Sequence, residues 1–196
     1  MGDYEVLWLT EDDQIRQAVG VTARALRDDP TTVAISDDPL VRLEMMYSTF
    51  AGMLAGGIVA GVRRGDCVLG AAGAAPPGDC VATLLPPEVR ALDEPGPEAT
   101  DVDRFLHMGS ILAHHDLQET HWHVGPVGVE PGFQGMGLGG ATLKLLCSEF
   151  DEHQRLAWLE TAKPQNVRFY MSQGFEVVEE ILLLSTPNWF MRRDPR

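Results

Sequence analysis

Cysteine is scarce and carries no pattern. Cys67, Cys80 and Cys147 are odd in number and form no CxxC pair. A disulfide framework or a structural zinc site is therefore not expected, and a reducing cytoplasm is the expected setting. Cations are in deficit, with 15 Lys and Arg against 29 Asp and Glu and a net charge of −14. Phosphate binding needs a basic field, so this balance argues against nucleic acid as the main partner. It accords with a cationic or amine ligand, although acidity also serves solubility. Long hydrophobic runs are missing. The longest, residues 50–62, is rich in glycine and ends at Arg63-Arg64, too short for a membrane span. The opening Met1-Gly2-Asp3-Tyr4-Glu5 has no basic segment ahead of an apolar run, so no signal peptide is expected. Val6 stands where a myristoylation signal wants Ser or Thr. No internal repeat is visible.

The 196 residues are 44% hydrophobic and 22% charged, which suits a single folded domain with one sizeable core. Residues 5–9 alternate as a strand. Thr10, with Asp13 three residues on, predicts a helix start, and Ile15, Val19, Ala23 and Leu26 form its apolar stripe. Asp28-Asp29-Pro30 breaks that helix. A second helix is expected from Asp38 with Pro39 in its first turn, carrying Val41, Met45, Met46, Phe50 and Met53 as a core stripe. Residues 58–62 and 67–72 flank Arg63-Arg64-Gly65-Asp66 as a hairpin. A short helix over 87–92 and another over 103–115 are expected, separated by a loop over 93–101. The last third reads as strand 122–129, a Gly-rich turn, helix 138–153, strand 156–161, helix 164–173 ended by Gly174, and closing strands over 176–183 and 189–192.

The Gly-rich turn is the most informative segment. Gln134-Gly135-Met136-Gly137-Leu138-Gly139-Gly140 lies between a strand and a helix. Glycines let the backbone approach a ligand closely and turn successive N–H groups inward. The helix adds the positive end of its dipole, making an anion site suited to a pyrophosphate. Gly135, Gly137 and Gly140 also satisfy G-x-G-x-x-G, with Glu160 twenty residues later, as in a dinucleotide fingerprint. Against that reading, Glu130-Pro131-Gly132-Phe133-Gln134 separates the strand from Gly135, and too little chain follows for a nucleotide domain.

The flanks add to the turn. Val129-Glu130-Pro131 followed by Gln134-Gly135-Met136-Gly137-Leu138-Gly139 resembles the signature V-x-P-x-x-[RQ]-G-x-G-x-[GA] of the GNAT superfamily of N-acetyltransferases. A second block, Leu159-Glu160-Thr161, Asn166, Phe169-Tyr170 and Gly174-Phe175, agrees in order and spacing. Within the superfamily the chain is similar to members of the puromycin N-acetyltransferase type, through residues 127–129, 159–161, 164–170 and Trp189-Phe190-Met191-Arg192-Arg193. The resemblance implies an α/β fold: a mixed, largely antiparallel sheet splayed at its centre, with helices on both faces. It implies acetyl-CoA as cosubstrate, no metal, and direct transfer of the acetyl group to a small primary amine in a ternary complex. A homodimer is compatible with it.

The same resemblance distributes the roles. The N–H groups of Gln134, Gly135, Met136, Gly137, Leu138, Gly139 and Gly140 would cradle the pyrophosphate. Val127 and Val129 would offer backbone groups to the pantetheine arm, with Pro126 beside them where a strand can part from its neighbour. Asn166 would reach the pantetheine amides. Tyr170 would serve as acid for the departing thiolate. The base stays open between Glu160, His121, His123 and water; the two histidines alternate on one strand and so face one side. Cys147 falls inside the helix after the turn and is expected in the core rather than as an acyl carrier. His107, His114 and His115 lack acidic ligands at fixed spacing and do not predict a metal site. A GNAT-shaped acyl-CoA sensor without turnover is the rival from another class; a nicotinamide-dependent oxidoreductase is the remaining one.

Overall fold

The computed structural model describes residues 4–79 and 94–196; Cys80 and the helix expected over 87–92 lie outside them. Among the described residues, seven strands form one sheet in the order β1-β2-β3-β4-β5-β7-β6. They are β1 (Glu5–Trp8), β2 (Ile58–Arg64), β3 (Cys67–Ala75), β4 (His121–Val129), β5 (Leu156–Thr161), β6 (Glu176–Leu183) and β7 (Thr186–Arg193). Every pairing is antiparallel except β4 with β5. The largely antiparallel order removes the dinucleotide reading, which needs a parallel, doubly wound sheet.

Among the described residues, four helices lie on one face: α1 (Asp12–Leu26), α2 (Pro30–Ile35), α3 (Pro39–Gly56) and α4 (Asp101–His114). Two lie on the other: α5 (Leu138–Glu152) and α6 (Pro164–Ser172). Strand alternation feeds both cores. Val59 and Ala71 pack with Val19, Met46, Phe50 and Leu54 of α1 and α3. Their neighbours Ala60 and Ala72 pack with Leu143, Leu146 and Phe150 of α5. Trp158, Leu183 and Phe190 form a third cluster with Leu112 of α4.

Two local readings are corrected. The cap of α1 sits one residue later than Thr10: Gln14 Oε1 accepts the backbone N–H groups of Thr10 and Glu11 at 3.3 and 3.5 Å. The Asp28-Asp29-Pro30 break is also a start, because Asp29 accepts from Thr31 N at 3.2 Å and Pro30 opens α2. Arg42 of α3 is buried; its guanidinium donates to the carbonyls of Arg27, Ser36 and Asp37 and to Asp28. The expected start of α3 holds, with Asp38 capping Leu40 N at 2.8 Å.

Candidate functional site

The centre of the sheet opens where two strands stop pairing. β4 and β5 are in register only at His121–Leu156, Trp122–Ala157 and His123–Trp158. Beyond His123, β4 stays with β3 through Val129, while β5 stays with β7 through Thr161. A bulge in β4 follows directly after the split. Ala72 pairs with Val127 and Ala74 with Val124, so Gly125 and Pro126 oppose the single residue Gly73. Proline cannot donate to a ladder and is tolerated at such bulges, which is where the sequence reading put Pro126.

The Gly-rich turn closes the wide end of this split. After β4, a single 3₁₀ turn over Pro131–Phe133 leads to Gly135 at φ +77° and Gly137 at φ +80°. Both angles are left-handed, the region L side chains avoid. A Cβ added at either would find nothing within 4 Å, so the space above the turn is open to a ligand. Gly139 and Gly140 lie at the start of α5: a Cβ at Gly139 would make ordinary contacts with Val129 at 3.4 Å and Phe169 at 3.8 Å, and one at Gly140 with Phe169 at 3.9 Å. Leu138 is buried and Met136 exposed. α5 is 15 residues long, long enough for its dipole to favour an anion at its start. The Gln134 side chain donates through Nε2 to Val129 O at 3.1 Å, tying the turn to the strand end. Arg24 of α1 grips Glu130 through both Nε and Nη2, the latter at 2.8 Å.

At the narrow end, Tyr170 and Glu160 approach from opposite faces. Tyr170, on α6, packs in the α5-side core against Phe169 and Phe175. Leu159 belongs to that same core while Trp158 faces α4, so alternation puts Glu160 on the α4 side. The phenol nevertheless feels Glu160 and Asp29: burial first, then these two negative charges, push Tyr170 above its ordinary value. Burial likewise raises Asp29, against the opposing pull of Lys163 at 3.4 Å. Asn166 sits in the first turn of α6, where its Nδ2 donates to Thr161 Oγ1 at 3.3 Å.

The two histidines of β4 are not surface residues. His121 and His123 are 5% and 2% exposed. His123 Nε2 lies 3.0 Å from Glu160 Oε2. Burial opposes a charged imidazole, but the Glu160 and Asp116 carboxylates outweigh it and push His123 up to about 10. Asp116, which the sequence reading did not single out, has its side chain 1% exposed and lies 3.1 Å from His121 Nε2. Cys147 is in the core of α5, where burial pushes its thiol up to about 11. A separate cleft of about 730 Å³ opens beside the β1 edge, lined by Trp8, Tyr47, Leu54, Ile58 and Glu149 among others, and holds none of the predicted site residues.

The family model described as "Acetyltransferase (GNAT) family" matches residues 22–175. Among solved structures, the chain is similar to one described as "histone acetyltransferase HPA2 and related acetyltransferase" from Corynebacterium glutamicum, with TM-score 0.68, 18% identity, and 100% of this chain and 98% of that one covered. It is similar to the polyamine N-acetyltransferase of Drosophila melanogaster, an enzyme that forms N-acetylagmatine, with TM-score 0.70, 13% identity, and coverage of 97% and 100%. An agmatine N-acetyltransferase gives TM-score 0.71, 13% identity, and coverage of 98% and 99%. At these identities the likeness is one of fold.

Proposed function

The chain belongs to the acetyltransferase (GNAT) family, and from that premise we propose that it moves the acetyl group of acetyl-CoA directly to a primary amine of a small molecule. The observation that carries the reading is the parting of β4 from β5 beside an open glycine turn at the start of a helix. The residues present fit the cosubstrate. The N–H groups of residues 134–140 hold its pyrophosphate. The edge of β4 that β5 has left, at Val127 and Val129, offers backbone groups to the pantetheine arm, and Asn166 lies beside it. An N–H on that edge lies where it can stabilise the carbonyl oxygen as charge develops.

Glu160 and Tyr170 then divide the proton work. The acceptor nitrogen must lose a proton before it can attack the thioester carbon, and Glu160 takes it. A C–N bond forms and the C–S bond breaks. Tyr170, kept protonated by burial and its acidic neighbours, donates to the departing sulfur. The net charge of −14 favours a compact cation as the acceptor. Puromycin-like aminonucleosides are the first acceptors to try, on the subfamily likeness of residues 159–170 and 189–193.

A CoA-release screen over aminonucleosides, polyamines, amino acids, aminoglycosides and peptide N-termini tests the proposal. Turnover of a small primary amine is expected. Acetyl-CoA binding with no CoA release on any amine would make the protein a sensor instead. Selective use of a long basic peptide would overturn the small-molecule acceptor.

A further inference from the structure

We propose that Asp116, His121 and His123 form a binding site for a divalent transition-metal ion of the zinc class. Asp116 Oδ1 lies 3.1 Å from His121 Nε2 and 3.6 Å from His123 Nδ1. The three donor atoms all fall within 4.8 Å of one another. Ligands at about 2.0–2.1 Å from a tetrahedral ion stand about 3.3 Å apart, so this triangle needs only small adjustment to close on one. All three side chains are 4% exposed or less.

The outer shell argues the same way. A metal-bound imidazole commonly uses its second nitrogen on a carboxylate or a backbone carbonyl, which fixes the tautomer and the ring. His123 does the first: its Nε2 meets Glu160 Oε2 at 3.0 Å, turning Nδ1 toward Asp116. His121 does the second: its Nδ1 lies 2.7 Å from Glu119 O, turning Nε2 toward Asp116. The His-x-His spacing on a strand supplies two ligands from one face. The segment after α4 supplies the third. Two imidazoles and a carboxylate form a borderline donor set suited to zinc, with a water closing the tetrahedron. Two carboxylates, Asp116 and Glu160, also face a dication's charge. The ion would be structural, fastening the segment after α4 to the first residues of β4, and its presence does not depend on the reaction proposed above.

The test uses the full chain stripped with a chelator and reloaded with zinc or cobalt alone. Stoichiometric zinc should survive gel filtration and raise the melting temperature. Cobalt should give the visible bands of a tetrahedral site without the near-ultraviolet thiolate band that cysteine ligands produce. Asp116→Asn and His121→Gln should each weaken zinc by at least roughly 100-fold, since even outer-shell losses reach 10–100-fold. Absence of zinc uptake by the wild type overturns the proposal, as does an octahedral or thiolate-bearing cobalt spectrum. Uptake unchanged in folded variants does the same. The wild-type measurements stand whether or not a variant folds.

Discussion

Gly137→Ala separates two properties of the turn. Gly137 adopts φ +80°, and a left-handed L residue costs roughly 1–2 kcal/mol. No steric cost is added, because nothing lies within 4 Å of the new methyl group. Alanine returns about 0.4–1 kcal/mol by restricting the unfolded chain. The net loss should be about 1 kcal/mol. Gly132→Ala is the control: its site is equally open, without a left-handed φ, so only the unfolded-state gain remains. The two variants should therefore differ by roughly 1–2 kcal/mol in urea unfolding, and by roughly 2–8 °C in melting temperature for a chain of this size. The same Gly137 protein tests the cradle. Its methyl group enters the space proposed for the pyrophosphate, so acetyl-CoA affinity by calorimetry should fall about tenfold or more, equivalent to about 1.4 kcal/mol. Equal stability of the two variants refutes the strain argument. Wild-type acetyl-CoA affinity in folded Gly137→Ala refutes the pyrophosphate assignment.

Tyr170→Phe keeps the ring among Phe169 and Phe175 and should lower kcat by roughly 10²-fold with the fold and acetyl-CoA affinity nearly unchanged; a defect confined to KM would mean a binding role. Asp151 accepts from both Nη atoms of Arg193, whose side chain is 3% exposed, so Asp151→Ala should cost about 3 kcal/mol by leaving that charge unpaired. The Arg193 hydrogen bonds hold the Asp151 carboxyl below its ordinary value. Its contribution is therefore complete above the ordinary carboxylate pKa and is lost as pH falls through the lowered folded one, so the gap between wild type and variant, followed by thermal unfolding, should close below about pH 4. Cys147, with its thiol pushed up by burial, should resist alkylation in the native state while exposed Cys67 reacts, as read by peptide mapping. An acetylated Cys147 accumulating with acetyl-CoA would argue against direct transfer.

The parts legible in sequence are those fixed by local chemistry. Residues 156–161 form β5 as expected, Pro164 opens α6, and the turn between β4 and α5 follows its glycines. A strand parting beside Pro126 was legible because proline removes a donor wherever it sits, whereas the bulge that sets Gly125 and Pro126 against Gly73 was not. The six residues of α2 are too few to show a 3.6-residue period, and Asp29-Pro30 signals an end of one helix as readily as the start of another. The burial of Arg42 was not legible, because its partners, the carbonyls of Arg27, Ser36 and Asp37, carry no sequence signature. The alternation of His121 and His123 was visible, but Asp116 lies in the segment after α4, and Glu160 arrives from β5 through a parallel pairing that only the tertiary fold sets.

The register of β5 is what makes a two-sided site out of these pieces. Side chains on a strand alternate, so a slip of one residue against β7 would turn Glu160 toward α5 and Leu159 toward α4. Two buried clusters oppose that slip: Leu159 and Ala157 are held in the α5-side core, and Trp158 stacks on Phe190 at 5.7 Å on the α4 side. A carboxylate on one face and a phenol rooted in the other are ordinarily separated by the sheet's own backbone. They influence each other here because β4 has left β5 after His123, at the level where Glu160 stands. The parting of β4 from β5 opens the sheet and the packing of Trp158 aims the strand. Either alone would leave Glu160 and Tyr170 in different environments, which is why both residues depend on the packing of Trp158 and Phe190 against Leu112 of α4.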